Sequence, residues 1–322
     1  MSDRNPVDGV IPLESAPPDL SYPGVSPQLL ARVSQLWSAR GLDFHGVWRH
    51  SLRSLPGFRA LPRVDGSATS AQVDLVFLFD QGVIWARAFH AATAAGHRHS
   101  VPGLSGAQWY GLAGVSARLI EQLSALRLLA LTDLPMPAMQ IARSISEDAD
   151  MALVLLIRAR LAENFAQCRT PDSASDFWRR HIAGGRAFRA ISERLYSVGI
   201  DHSDDTDYAK WRRSVLTTLG AAVHSNALRT DTPGRRDGQI LLNDDSLHFA
   251  TFRLHELCAF AQLLKPELTD ILAAAGIAAL DDDGGARSLA PLAAPLSGIL
   301  VNQIQSLASP APARASGGPK RH

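Results

Sequence analysis

Three residues, Arg143, Glu147 and His224, are the candidates for a catalytic role, because an acid–base group and an arginine at one phosphate can move a proton and offset developing negative charge. Arg143 and Glu147 stand four residues apart, a spacing that places both on one face of an α-helix, and Asp150 lies about a turn further on. On a solvated face such a pair stabilises by only about 0.2–0.5 kcal/mol, and Arg preceding Glu is the weaker order. On an inward face the charges must bind each other or a group from a neighbouring helix. Apolar residues around most of this helix leave little outer surface, so the sequence predicts that Arg143 and Glu147 point inward. His224 stands where an apolar helix gives way to Ser225 and Asn226, so its imidazole suits the last carbonyls of that helix as well as proton transfer.

A second group is basic. Arg179, Arg180, Arg186 and Arg189 crowd one segment together with His181, and either face solvent or bind phosphate or an acidic partner. His90, His97 and His99, and separately His248, His255 and Cys258, are metal-ligand types, but their spacing fits no zinc pattern and HExxH is absent. Helix-end and core histidines account for them, and neither a metal nor another cofactor is predicted. The sequence also lacks a phosphate-binding P-loop, a GxSxG elbow and a paired nucleophile and base.

Apolar periodicity marks the helices that carry these groups. The longest run, residues 137–167, has Ile141, Ile145, Ala149, Ala152 and Leu156 at three- and four-residue steps. It is predicted to cross the domain as one helix or to bend between Ser144 and Asp150. A helix over residues 105–134 precedes it after a short connection, so the two are predicted to pack as antiparallel neighbours. Other helices are predicted over 26–41, 43–55, 70–95 with Gly96 as the stop, and 176–198 with a weak point at Gly184 and Gly185. Two more run from the acidic cluster at Asp204 and Asp207 to His224, and over 246–264 with a continuation to Ala275. The fold class is all-α, an elongated antiparallel helical bundle with flexible N- and C-terminal tails. Residues 1–26 are a disordered arm, 27–66 N-terminal helices, 67–275 the main helical bundle, 276–308 a C-terminal segment with a weak helix, and 309–322 a disordered tail.

The 322 residues are 46% hydrophobic and 20% charged, enough for one large core. With 32 Lys and Arg against 31 Asp and Glu, the net charge of +1 argues against electrostatic coating of nucleic acid or an anionic membrane. Cys168 and Cys258 lie far apart and support no disulfide framework. The amino terminus lacks the apolar stretch of a secretory signal, and Asp80, Arg87, Arg118, Glu121 and Arg127 interrupt the apolar runs. A cytoplasmic protein without a membrane partner is expected.

The segments Arg143-Ser-Ile-Ser-Glu147 and Ala222-Val223-His224-Ser225-Asn226 resemble a bacterial family of all-helical domains of unknown function, over about residues 70–265. Its members carry an R-x-x-x-E segment and a later helix ending in a V-H pair. That resemblance implies fold more than activity. A fainter similarity is to HEPN helical bundles, many of them metal-independent ribonucleases with an R-x4-6-H motif. Arg40 and His45 match that motif, with Gly41 between them predicted to end the helix; Arg212 and Arg213 stand further from His224 than the motif allows. The resulting expectation is a helical bundle acting through protein or ligand interactions, including self-association, in a bacterial defence or stress system. The alternative is an HEPN-like ribonuclease with RNA as its partner.

Overall fold

A computed structural model of the chain describes residues 24–48, 68–132, 134–201, 206–221, 244–280 and 288–308. Among the described residues the fold is all-α, with eleven helices and no strand. In chain order these are α1 (Pro27–Ser38), α2 (Ser70–Arg98), α3 (Gly106–Leu131), α4 (Pro135–Ile157), α5 (Ala159–Ala166), α6 (Pro171–His181), α7 (Arg186–Tyr196), α8 (Asp207–Ala221), α9 (Asp244–Leu264), α10 (Leu268–Ala278) and α11 (Ala293–Ala308). The expected disordered arm and tail lie outside the described residues except for 24–26, as do most of the expected helix over 43–55 and His224. No helix among the described residues is long and apolar enough to cross a membrane.

Side-chain chemistry sets where the helices begin. Ser26 caps α1, with Pro27 at the first helical position, and Thr69 with Gln72 and Ser105 with Gln108 form reciprocal capping boxes for α2 and α3. The expected start at Asp176 is five residues late. Thr170 accepts a hydrogen bond from the Ser173 amide and Pro171 opens the helix, so the Thr-Pro-Asp-Ser stretch is a cap and first turn. Gly96, expected as a stop, sits inside α2 instead. A Cβ there would lie 2.7 Å from the Trp109 ring, so this glycine serves the close approach of α2 and α3.

The cross-contacts establish an antiparallel arrangement. Along α2 and α3, Asp80 meets Arg127, His90 meets Ser116, and Gly96 faces Trp109, so one number rises as the other falls. Arg118 with Asp148 and Gln108 with Leu155 do the same for α3 and α4, as Tyr208 with Glu256 and Trp211 with Phe249 do for α8 and α9. α9 packs against α2, α3, α4, α7, α10 and α11, which puts it at the centre. The C-terminal helix expected to be weak belongs to the shared core, since Leu296, Ile299 and Leu300 of α11 are fully buried. Trp37 and Trp48 bring the N-terminal helices into that core as well.

The long run over 137–167 is two helices. Its break is at Arg158, whose φ of −129° and ψ of 87° leave the helical region, and not between Ser144 and Asp150. Gln108 Nε2 donates to the carbonyls of Leu155 (3.1 Å) and Leu156 (2.7 Å), taking acceptors at the end of α4 that a helix terminus leaves free.

Candidate functional site

Five polar side chains from three helices meet inside the bundle. Asp150 comes from α4, Tyr208 and Arg212 from α8, and Arg253 and Glu256 from α9. The separations of four residues in α8 and three in α9 put each pair on one helix face, so two helices can present both members to Asp150. Arg253 Nη2 donates to Asp150 Oδ1 at 2.5 Å and Arg212 Nη2 donates to Asp150 Oδ2, so the carboxylate is shared between two guanidinium groups. Arg253 Nη1 pairs with Glu256 Oε2, and the Tyr208 hydroxyl donates to Glu256 Oε1. The Arg212 guanidinium lies 3.9 Å above the ring centroid of Phe188 on α7, adding a cation–π contact.

Burial makes the pairing obligatory. Arg253 and Glu256 are each 1% exposed, and Arg212 and Asp150 are nearly as enclosed. Two carboxylates balance two guanidinium groups, so the cluster carries no net charge. Removing one member would strand the other, which for a buried pair costs about 3–5 kcal/mol. Burial pushes the Tyr208 phenol above its usual range, against the opposing pull of Arg253 and Arg212, and the hydroxyl stays a donor. The Nε–H groups of Arg212 and Arg253 are buried without a hydrogen-bond partner. As arranged, the cluster braces α4, α8 and α9; its acidic groups are committed to arginines and offer no free base.

Two further polar sets lie in the same core. Arg127 Nε and Nη2 donate to the two oxygens of the fully buried Asp80 at 2.7 and 3.0 Å, a bidentate pair joining α2 and α3. Around α11, Trp37 Nε1 donates to Gln81, Gln81 bonds Gln303, and His255 Nε2 lies 3.4 Å from Gln303 Oε1. His255 Nδ1 is 2.7 Å from the Thr251 carbonyl. Burial lowers the His255 pKa to about 4, so the ring is neutral near pH 7.

The sequence candidates among the described residues are not gathered there. Arg143 and Glu147 form a pair at 3.4 Å with side chains 37% and 30% exposed, so their expected inward placement is corrected to a half-exposed face. The inward charges of α4 are Asp148 and Asp150, one and three positions on from Glu147. Arg143 also lies against Gly220 at the end of α8, where a Cβ would be 2.5 Å from its Nη1. Arg179 and Arg180 both pair with Asp176, Arg186 donates to the Arg179 and Ala183 carbonyls, and Arg189 is exposed. Arg40 donates to the carbonyls of Leu36 and Gly298 at 3.3 and 3.1 Å, while Gly41 turns the chain with a φ of 69° before His45. Among the described residues no group of three or more His, Cys, Asp or Glu is placed to hold a metal ion.

Tyr208, Arg212, Arg253 and Glu256 were not legible as a site, because pairing over such sequence distances follows only from helix packing. A signal did exist: Arg253 and Glu256 interrupt the apolar residues of α9 three positions apart, as Asp80 interrupts α2 and Arg127 interrupts α3. Compared with known protein families, curated proteins and solved structures, the chain matches none of them.

Proposed function

We propose that this protein works by binding, as a helical scaffold in the cytoplasm of a bacterium, and serves a defence or stress system without catalysing a reaction of its own. The supporting observation is the contrast between inside and outside. The charges collected in the core are neutralised by one another, whereas α6 and α7 expose arginines beside large aromatic side chains. Trp178 and Tyr196 are 42% and 71% exposed, alongside Arg180 and Arg189. Arginine, tryptophan and tyrosine are the residue types that anchor protein interfaces, and the excess positive charge suits an acidic protein surface.

The ribonuclease alternative requires an imidazole and an arginine on one phosphate. Incubating the purified chain with single-stranded and structured RNA in the presence of chelator separates the readings. The binding role predicts intact RNA. Cleavage that disappears in a His224→Ala variant of unchanged melting temperature would overturn it. In parallel, a polyglutamate peptide should bind the parent chain and lose affinity at least tenfold for the Arg180→Glu, Arg189→Glu double variant.

A further inference from the structure

The α6 helix is built differently from the helices of the core. Phe177 is the one buried residue along it, and every other position is exposed or half-buried. The Phe177 ring meets Phe165 of α5 edge-on, with centroids 5.4 Å apart. Otherwise α6 packs on its chain neighbours α5 and α7 and on the turn that leads into α7. The opposite design is seen in α4, which has no side-chain cap at its N-terminus and more than half of its residues buried.

Local contacts supply what burial does not. Thr170 and Ser173 form a reciprocal capping box, and Pro171 occupies the first helical position. Asp172 in the first turn and Arg179, Arg180 and His181 in the last complement the helix dipole. Asp176 pairs with Arg179 and Arg180, three and four positions on, in the favourable order of acid before base. Arg186 Nη1 donates to the Arg179 carbonyl at 2.8 Å and the Ala183 carbonyl at 3.0 Å, acceptors that the end of a helix leaves free. A helix this short is marginal in isolation, and these contacts let α6 hold its form with little help from the core.

Both ends of α6 can give. Gly184 and Gly185 follow it with φ of 64° and 74°, and a Cβ on Gly185 would meet no atom within 4 Å, so the turn is open at that point. At the other end residues 167–170, which join α5 to α6, are exposed or half-buried. Residues at element ends absorb the φ and ψ changes of hinge motions. We propose that α6 is a clasp, a helix that lifts from α5 as a unit about Gly184 and Gly185 and is held down by an acidic partner bridging α6 and α7. Trp178 and Arg180 lie on the moving side of the pivot, and Arg189 and Tyr196 on the fixed side. The fixed side is anchored, since Ala187, Ile191 and Leu195 of α7 are buried and the helix packs on α4 and α9. A partner that needs both sides binds the closed position alone and draws α6 toward closure by its own affinity. The clasp rests on the reading of α6 and α7 as an acidic-partner surface and adds how that surface is regulated.

Hydrogen exchange of the full chain, read by mass spectrometry, tests the clasp. Without ligand, amides of residues 175–181 should exchange at least about tenfold faster than those of α9, through an opening that low urea does not accelerate, because a local event exposes little surface. Phe177→Ala should speed this exchange by at least about another tenfold while exchange in α3 and α9 and the melting temperature stay unchanged, and Phe177→Leu should restore most of the protection. Polyglutamate at about a hundred times its Kd should slow exchange in α6 by up to about a hundredfold. It should also bind Phe177→Ala more weakly than the parent, although the Phe177 ring faces α5, because less of the variant is closed. Exchange of α6 that matches α9 in rate and urea dependence, or a Phe177→Ala variant that loses protection throughout the bundle, would overturn the clasp. So would a peptide that binds the parent while exchange in α6 stays as it was, a result that leaves the acidic-partner reading intact. A peptide that does not bind at all overturns that reading and the closure together.

Discussion

Arg253 and Asp150 are 103 positions apart in the chain, yet Nη2 of one lies 2.5 Å from Oδ1 of the other in the buried core. Asp150 also accepts from Arg212, so one carboxylate holds α8 and α9 onto α4. A charge at this depth is tolerated only with such partners, and its three-helix connectivity fixes which faces of these helices meet.

Replacing Glu147 by Ala should change stability little. Its pair with Arg143 is an i,i+4 contact with both side chains about a third exposed, so the loss is at most about 0.5 kcal/mol. A urea denaturation midpoint measures this. A loss of several kcal/mol would mean that Glu147 is buried against a partner.

Gly96→Ala should be destabilising although alanine is the better helix former. The new Cβ would lie 2.7 Å from the Trp109 ring, and forcing α2 away from α3 costs about 1–3 kcal/mol. Alanine at Gly114 is the control: it lies on α3 with no atom within 4 Å of an added Cβ, and the change there should stabilise by up to about 1 kcal/mol.

Two buried groups give opposite pH dependences. Burial raises the Asp148 pKa to about 6 from 3.8, against the pull of Arg118, so between these values the folded state holds more protons than the unfolded. Its contribution is present below pH 4 and is lost as pH rises through 6, amounting to about 3 kcal/mol at most. His255 behaves in reverse: with its pKa lowered to about 4 from 6.5, it favours the folded state above pH 6.5 and loses that contribution as pH falls toward 4. Asp148→Asn should therefore steepen the rise of stability with pH between 4 and 6. Nitrogen NMR of the His255 ring should show a neutral imidazole at pH 5; a protonated ring there would contradict its placement.

Much of the helical framework was legible because its signals are local. Apolar spacing located α2, α3, α4 and α9, and Ser26 with Pro27 marked the start of α1. The boundaries that differ were decided by tertiary contacts: Gly96 is required by Trp109, and the α4 break exposes carbonyls that accept hydrogen bonds from the Gln108 side chain, far away in sequence. The same holds for the polar site. The four-residue spacing of Arg143 and Glu147 marks a shared helix face, whereas Asp150 is buried because Arg212 and Arg253 approach it from α8 and α9. Spacing within one helix identifies a shared face; it does not identify which face the other helices cover.

Asp150 and Arg253 brace the bundle as a coupled pair, and a double-mutant cycle in chemical denaturation measures that coupling. Asp150→Asn and Arg253→Met should each cost about 3–5 kcal/mol, and the double variant should be less destabilised than the sum of the two by at least about 1 kcal/mol, since each single change strands a charge that the other removes. Single costs below about 0.5 kcal/mol, or strict additivity of two large ones, would show that the two side chains are not coupled.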